Sequence, residues 1–124
     1  MPITTTIDPE KQLAIHRVEG NATFDEAMEA IKKYYSGKTT PNLLWDFSAG
    51  SLVKLSPDQI TLLAEYIQRV SGGRITGKTA GLVSHDVDFG LARVFETLFE
   101  SSSYKPLIRI FRNSDDAMRW LRAK

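Results

Sequence analysis

The hydrophobic and polar positions of this chain form two kinds of pattern: short apolar or β-branched runs, and longer stretches with apolar residues at helical spacing. The first two short runs, residues 3–7 and 11–18, flank Asp8 and Pro9, which are favoured at the first two positions of a type I turn. They predict two strands paired as an antiparallel hairpin. Gly20 and Asn21 are predicted to end the second strand.

Helical spacing then begins at residues that are typical of helix N-termini. Thr23 is followed by Glu26, as in a capping box. Ser56 fits an N-cap, because Pro57 and Gln59 follow it at the first and third helical positions. The four predicted helices run from residue 23 to about 36–37, from 56 to a stop at 72–73, from 86 onward, and from 113 or 114 onward.

Three further apolar runs separate these helices and predict strands at residues 43–47, 79–83 and 106–111. The element order is therefore ββαβαβαβα. Alternation of strands and helices after the hairpin predicts an α/β fold with a mostly parallel sheet. No linker, repeat or low-complexity tract interrupts the chain, so residues 1–124 are expected to form one domain.

The junction over residues 42–59 combines the end of an apolar strand, a short polar loop and a helix start. In open α/β sheets, ligands and partners bind beyond the carboxyl ends of the strands. We therefore expect a regulatory or partner loop here. Its candidate residues are Asp46, Ser48, Ser51, Lys54 and Ser56.

The third predicted helix is apolar around much of its circumference, which indicates burial on more than one side. One interpretation is a helix sandwiched in the core or held at a dimer contact. The other is one wall of an apolar ligand pocket, to which Phe89, Phe95 and Phe99 would contribute.

The composition of the chain excludes several classes of function. The chain is 42% hydrophobic and 25% charged, with a net charge of +1, so no strong field attracts nucleic acid. The absence of cysteine excludes thiolate chemistry and Cys-ligated zinc, and two histidines at distant positions do not indicate a metal site. We expect no cofactor. With no signal peptide and no apolar run long enough to span a bilayer, a cytoplasmic protein is the expectation.

Two short motifs suggest catalysis and are rejected on their context. Residues 72–79, GGRITGKT, match the Walker A pattern, but a phosphate-binding loop follows a strand and opens a helix, whereas this stretch follows a helix and leads into a strand. Ser84-His85-Asp86 contains the residue types of a hydrolase triad, but neighbours in sequence cannot reach one another in the required geometry. We therefore predict no catalytic residues.

Three segments resemble the SpoIIAA-like branch of the STAS superfamily: RVEG (17–20), LVSHDVDFGLARVFE (82–96) and IFRNSDDAMRWL (110–121). The resemblance covers nearly the whole chain and implies a SpoIIAA-like fold in a bacterial protein. STAS domains include anti-sigma-factor antagonists, which are switched by phosphorylation of a serine in an Asp-Ser-Ser-Gly motif. Residues 54–57 occupy the positions of that motif, and only Ser56 is the same. Lys54 stands in place of the motif's Asp, and Pro57 in place of its Gly.

The resemblance implies a non-enzymatic regulatory or protein-interaction module with a protein partner, although most members of this branch have no known function. The fold is also similar to that of CRAL-TRIO lipid-binding domains, so binding of a small apolar ligand, such as a lipid or fatty acid, is the alternative. A homodimer through the third helix or the hairpin is a further expectation.

Overall fold

The structure, a computed structural model, describes residues 3–70, 77–100 and 107–123. The predicted helix stop at 72–73 and the first residue of the last predicted strand, Pro106, lie outside the described residues. The elements follow the predicted order: β1 (Ile3–Asp8), β2 (Leu13–Asn21), α1 (Phe24–Ser36), β3 (Asn42–Ser51), α2 (Pro57–Val70), β4 (Lys78–Val83), α3 (Asp86–Glu100), β5 (Leu107–Phe111) and α4 (Ser114–Arg122).

The five strands form a single sheet in sequential order, β1-β2-β3-β4-β5. β1 pairs antiparallel with β2, and each later pair is parallel, which confirms the predicted fold class. Because β2 to β5 run in the same direction, the carboxyl ends of β3, β4 and β5 lie at one edge of the sheet. The β3–α2 connection, which contains Lys54 and Ser56, follows β3 at this edge, whereas the predicted loop residues Asp46, Ser48 and Ser51 lie in β3 itself because the strand is longer than predicted.

Helices cover both faces of the sheet unequally. α1, α2 and α3 pack on one face, where Val18, Phe47 and Val83 meet α3 at Ala92. α4 packs on the opposite face with Ala117 and Leu121, and its partners there are Leu13, Leu44, Ala80 and Leu82. Burial of β3 on both faces explains why its apolar run is continuous rather than alternating.

Two strand ends differ from the predictions. Gly20 and Asn21, which were predicted to break β2, are its last two residues, and Gly20 has φ +72°. β3 does not give way to a loop after residue 48 but extends to Ser51. Tertiary pairing overrides the local turn signals, because the ends of the two strands pair with each other.

A β-bulge makes this extension possible. From the pair Arg17–Asp46 to the pair Glu19–Ala49, β2 advances two residues while β3 advances three. The backbones then approach so closely that a Cβ at Gly50 would lie 2.5 Å from the carbonyl oxygen of Val18. Only glycine fits at this position without a shift of the backbone.

The predicted helix starts are confirmed by their hydrogen bonds. Thr23 and Glu26 form the complete capping box: the Glu26 amide donates to Thr23 Oγ1 (3.2 Å) and the Thr23 amide to Glu26 Oε1 (2.8 Å). The N-cap of α4 is Asn113, whose Oδ1 accepts from the Asp116 amide at 3.1 Å.

Candidate functional site

The candidate site lies at the carboxyl edge of the sheet, where the β3–α2 and β4–α3 connections meet the end of β5. The Ser84 hydroxyl, just after β4, donates to the carbonyl oxygen of Ser48 on β3 (3.2 Å). Arg112, just after β5, reaches back to the carbonyl oxygen of Ser84 (3.4 Å) and pairs with the Asp86 carboxylate (2.7 Å). Three segments that are distant in sequence are thereby joined at one edge.

Asp88 connects two of these segments, the start of α3 and the end of β3. It lies in the first turn of α3, is completely buried, and reaches across to the β3–α2 connection. Its Oδ1 accepts hydrogen bonds from the Ser51 hydroxyl (2.9 Å) and from the Leu52 amide (2.8 Å). A carboxylate acceptor makes such bonds stronger than neutral ones. We call this set of contacts the Asp88 clamp, because it fixes the start of the β3–α2 connection to the start of α3.

The sequence showed Asp88 only as an acidic residue in the first turn of a helix, where it complements the helix dipole. Its burial and its contacts with Ser51 and Leu52 did not follow from that position. One signal was available: Asp88 lies between two apolar residues, Val87 and Phe89.

The polar residues of the predicted loop take different places. Asp46 is buried in the middle of β3; its Oδ1 accepts from the Ser48 amide (2.9 Å), and its Oδ2 lies 3.6 Å from a guanidinium nitrogen of Arg17. Ser51 belongs to the Asp88 clamp. Ser48 and Lys54 are exposed. Of the five candidate residues, Ser51 forms a hydrogen bond to α3, through the clamp.

Ser56 is the N-cap of α2, as predicted. Its Oγ accepts from the Gln59 amide (3.1 Å), and Gln59 Oε1 accepts from the Ser56 amide (3.0 Å), which makes a second capping box. The hydroxyl of Ser56 is exposed to solvent while it serves the helix. Its role in the structure is to start α2 at a fixed place beside the clamp.

Two exposed valines flank the Asp88 clamp. Val53 follows Leu52 on the loop, and Val87 precedes Asp88 on α3. Each is more than half exposed. Both belong to segments that the clamp joins.

A separate apolar cavity of about 80 Å³ lies between the sheet and the layer formed by α1, α2 and α3. Its lining is almost entirely hydrocarbon and includes Ala27, Leu52, Leu55, Leu91 and Phe95. Protein interiors are normally packed without voids of this size. An apolar cavity stays dry unless an apolar molecule fills it.

The three candidate pocket aromatics of α3 are placed differently. Phe95 lines the cavity. Phe99 is buried and touches Phe95, with ring centroids 4.9 Å apart. Phe89 packs with the cluster around Val18 and Phe47, and its ring faces the Arg112 guanidinium at 5.5 Å.

The Walker A-like stretch ends in a strand, as its context predicted. Lys78 and Thr79 are the first residues of β4. The Lys78 ammonium donates to the carbonyl oxygens of Trp120 (2.8 Å) and Ala123, at the carboxyl end of α4, and lies 5.3 Å from the Trp120 ring centroid. This lysine therefore caps a helix C-terminus, where a positive charge is favoured.

Ser84, His85 and Asp86 form the turn from β4 into α3: the His85 carbonyl oxygen accepts from the Phe89 amide (3.0 Å), which is the first turn of the helix. Within the described ranges no group of three or more His, Cys, Asp or Glu side chains is placed to hold a metal ion. No helix of the described residues has the length and apolar character needed to cross a membrane.

No protein-family model matches the sequence, and no curated protein matches it either. Solved structures do match. The anti-sigma factor antagonist SpoIIAA in its unphosphorylated form is similar with a TM-score of 0.58 and 11% identity, over 98% of this chain and 99% of that one. An anti-sigma factor antagonist from Mycobacterium paratuberculosis is similar with a TM-score of 0.52 and 14% identity, over 98% and 95%.

An uncharacterized protein of the DUF3478 family from Shewanella loihica PV-4, with a SpoIIAA-like fold, is similar with a TM-score of 0.56 and 15% identity, over 96% of this chain and 91% of that one. At such identities the likeness establishes the fold. The chain has a SpoIIAA-like fold, which confirms the architecture that the sequence resemblance implied.

Proposed function

We propose that this protein is a non-enzymatic regulatory module that binds a protein partner through the edge formed by the β3–α2 connection and the start of α3. The observation that supports this most is the Asp88 clamp, which holds exposed Val53 and Val87 on a fixed base. Two of the similar structures are anti-sigma factor antagonists, and this agrees with a regulatory role.

The chemistry of the edge also favours binding over catalysis. Its buried carboxylate, Asp88, accepts two hydrogen bonds from the protein itself and so has a structural task. Exposed apolar groups beside polar and charged ones, such as Lys54 and Ser56, are the usual composition of a transient protein interface. A partner would bury the valines and leave the polar groups at the rim.

The test is direct binding to a panel of purified kinase-type anti-sigma factors, measured by biolayer interferometry. We expect at least one member to bind, and Val53→Asp and Val87→Asp each to weaken that binding about tenfold or more, because an unpaired charge would be buried at the contact. The matched control is Leu107→Asp, which alters an equally exposed side chain at the start of β5, the opposite end of the sheet.

Absence of any binder in the panel with a Kd below about 1 mM would count against the proposal. So would equal losses from Leu107→Asp and from the two valine variants. Circular dichroism of each variant checks that the fold is retained.

A second candidate function is carriage or sensing of a small apolar ligand, and the cavity favours it. The cavity of about 80 Å³ is well above the size needed to hold a single small molecule such as water, roughly 10–15 Å³. That suits a small hydrocarbon or part of a fatty-acid chain. The lining supplies little polar surface to orient a charged head group, so the contact would be mainly hydrophobic.

Mass spectrometry of the natively purified protein, followed by a thermal-shift screen of fatty acids, tests this candidate. Ala27→Leu, which fills the cavity from α1, should abolish a ligand-induced rise in Tm. Ala30→Leu enlarges a half-buried residue of the same helix outside the cavity lining and should preserve it. No co-purifying apolar molecule and no shift across the screen would remove this function.

A further inference from the structure

The two lateral edges of the sheet, formed by β1 and β5, differ in how far they are protected against pairing with another strand. At the β5 edge, the buried carboxylate of Glu96 on α3 reaches the strand, and its Oε2 accepts from the Ile110 amide at 2.9 Å. This occupies a backbone donor that an incoming strand would need. Covering an edge strand with a helix is one way in which proteins prevent pairing with other chains.

The β1 edge carries no charged residue from Ile3 to Ile7, and its single charge, Asp8, stands at the end of the strand. From Ile3 to Ile7 the strand contains only isoleucine and threonine, all β-branched and uncharged. Ile7 is 54% exposed, and Thr4, Thr5 and Thr6 are exposed as well. A strand with these side chains has high β-propensity and nothing along it that would repel a second strand.

The order of these residues is the same in both directions: Ile-Thr-Thr-Thr-Ile. A sequence of this kind matches itself when two copies run antiparallel about a two-fold axis. We propose that β1 pairs with β1 of a second copy of this chain, with Thr5 facing its own counterpart on the axis. The two five-stranded sheets then form one continuous sheet of ten strands.

In this register Ile3 of each copy lies opposite Ile7 of the other, and Thr4 lies opposite Thr6. Cross-strand pairs of β-branched residues and of threonines stabilise sheets by about 0.2–1 kcal/mol each. The junction also adds roughly four to six backbone hydrogen bonds, depending on which residues direct their N–H groups outward. A slip by one or two residues would place isoleucine opposite threonine, so the sequence favours a single register.

The pairing leaves the proposed partner surface accessible. In an antiparallel junction the second copy is rotated by 180° about an axis perpendicular to the sheet. The carboxyl edges of the two sheets therefore point in opposite directions. The dimer would present two copies of the edge that carries Val53 and Val87. This inference goes beyond the proposed function and does not depend on it.

Sedimentation equilibrium of the native chain tests the dimer, with an expected mass of twice 13.9 kDa. A charge pair then tests the register. Thr4→Lys with Thr6→Lys sets two lysines against each other at both ends of the junction and should raise the dimer dissociation constant about tenfold or more. Thr4→Lys with Thr6→Glu changes the same exposed positions but creates two opposite-charge pairs, and the dimer should persist.

Disulfide trapping locates the axis, because the chain has no native cysteine. Facing residues in an antiparallel pair have Cα atoms about 4.5–5.5 Å apart, within the range a disulfide spans. Thr5→Cys should therefore cross-link to itself on mild oxidation. Thr4→Cys alone should not, whereas an equimolar mixture of Thr4→Cys and Thr6→Cys chains should.

A monomeric native mass up to about 100 μM, a concentration that would populate any dimer of functional strength, would overturn the proposal. Persistence of the dimer in the Thr4→Lys, Thr6→Lys variant would also overturn it, since the contact would then lie elsewhere, for instance on α3. Self-cross-linking of Thr4→Cys as fast as that of Thr5→Cys would exclude this register. Failure of partner binding, by contrast, leaves each of these results unchanged.

Discussion

Removal of the Asp88 clamp is the perturbation that tests the site most directly. Asp88→Ala eliminates two hydrogen bonds to a charged acceptor, those from the Ser51 hydroxyl and the Leu52 amide. Hydrogen bonds to charged groups each contribute about 1.5–3 kcal/mol, so their loss costs about 3–6 kcal/mol. We expect the loop to lose its attachment to α3.

One compensating effect reduces this figure. The second carboxylate oxygen of Asp88, Oδ2, is buried and has no hydrogen-bond partner within the described part of the chain. A buried unsatisfied polar atom costs about 1–3 kcal/mol, and alanine removes that cost. Subtracting this gain leaves an expected loss of roughly 0–5 kcal/mol, centred on about 2.5 kcal/mol, in the free energy of unfolding.

Urea unfolding followed by circular dichroism measures this change, with an unchanged m-value as the sign that the denatured state is unaffected. Hydrogen exchange reports the site itself: the Leu52 amide should lose its protection in Asp88→Ala. Asp88→Asn retains an acceptor oxygen for both donors, but neutral hydrogen bonds contribute only about 0.5–1.5 kcal/mol each. It should therefore lose less stability than Asp88→Ala and keep more protection of the Leu52 amide.

The matched control is Asp86→Ala, two residues earlier on the same helix. The Asp86 side chain is 91% exposed, and its ion pair with Arg112 lies at the surface, so its removal should cost at most about 0.5–1 kcal/mol. A change below about 0.5 kcal/mol for Asp88→Ala, or an equal loss from the two alanine variants, would refute the reasoning about the clamp.

Three further predictions concern positions whose roles are defined by the same structure. Gly50→Ala should destabilise the protein by roughly 2 kcal/mol or more in urea unfolding, since its Cβ would clash with the β2 backbone, whereas Gly90→Ala in open space on α3 should stabilise it by about 0.5–1 kcal/mol. Lys78→Ala should lower stability by about 1 kcal/mol through loss of the α4 cap, with no ATP binding by calorimetry before or after the change. Ser56→Ala should cost about 1 kcal/mol and Ser56→Asp much less, because aspartate is also a good N-cap; equal losses would contradict the capping role.

The elements that could be predicted from the sequence are those whose stabilising contacts are local. Thr23, Ser56 and Asn113 each accept a hydrogen bond from the amide three residues later, so the cap and its partner lie within one short segment. The order of strands and helices follows for the same reason, since each element has its own periodicity. The sequence also placed the candidate loop after β3, because parallel strands bring their loops to one edge.

The boundaries at Gly20 and Ser51 could not be predicted, because they depend on two strands that pair beyond their local turn signals. Gly20 and Asn21 look like a break in isolation and remain in the sheet only because Gly50 and Ser51 lie beside them. Likewise, Phe89, Phe95 and Phe99 share one helix, yet only Phe95 of the three reaches the cavity lining. The packing of three helices on the sheet decided that.

The sequence by itself determined the order of strands and helices and the capped helix starts, since helical and strand periodicities and capping residues act over a few positions. Only the tertiary structure decided what the carboxyl edge of the sheet contains. Asp88 and Ser51 are separated by 37 residues, and their hydrogen bond forms because β3, β4 and α3 converge at one edge. The physical reason is that burial and pairing of polar groups depend on distances across the fold, which periodicity along the chain does not encode.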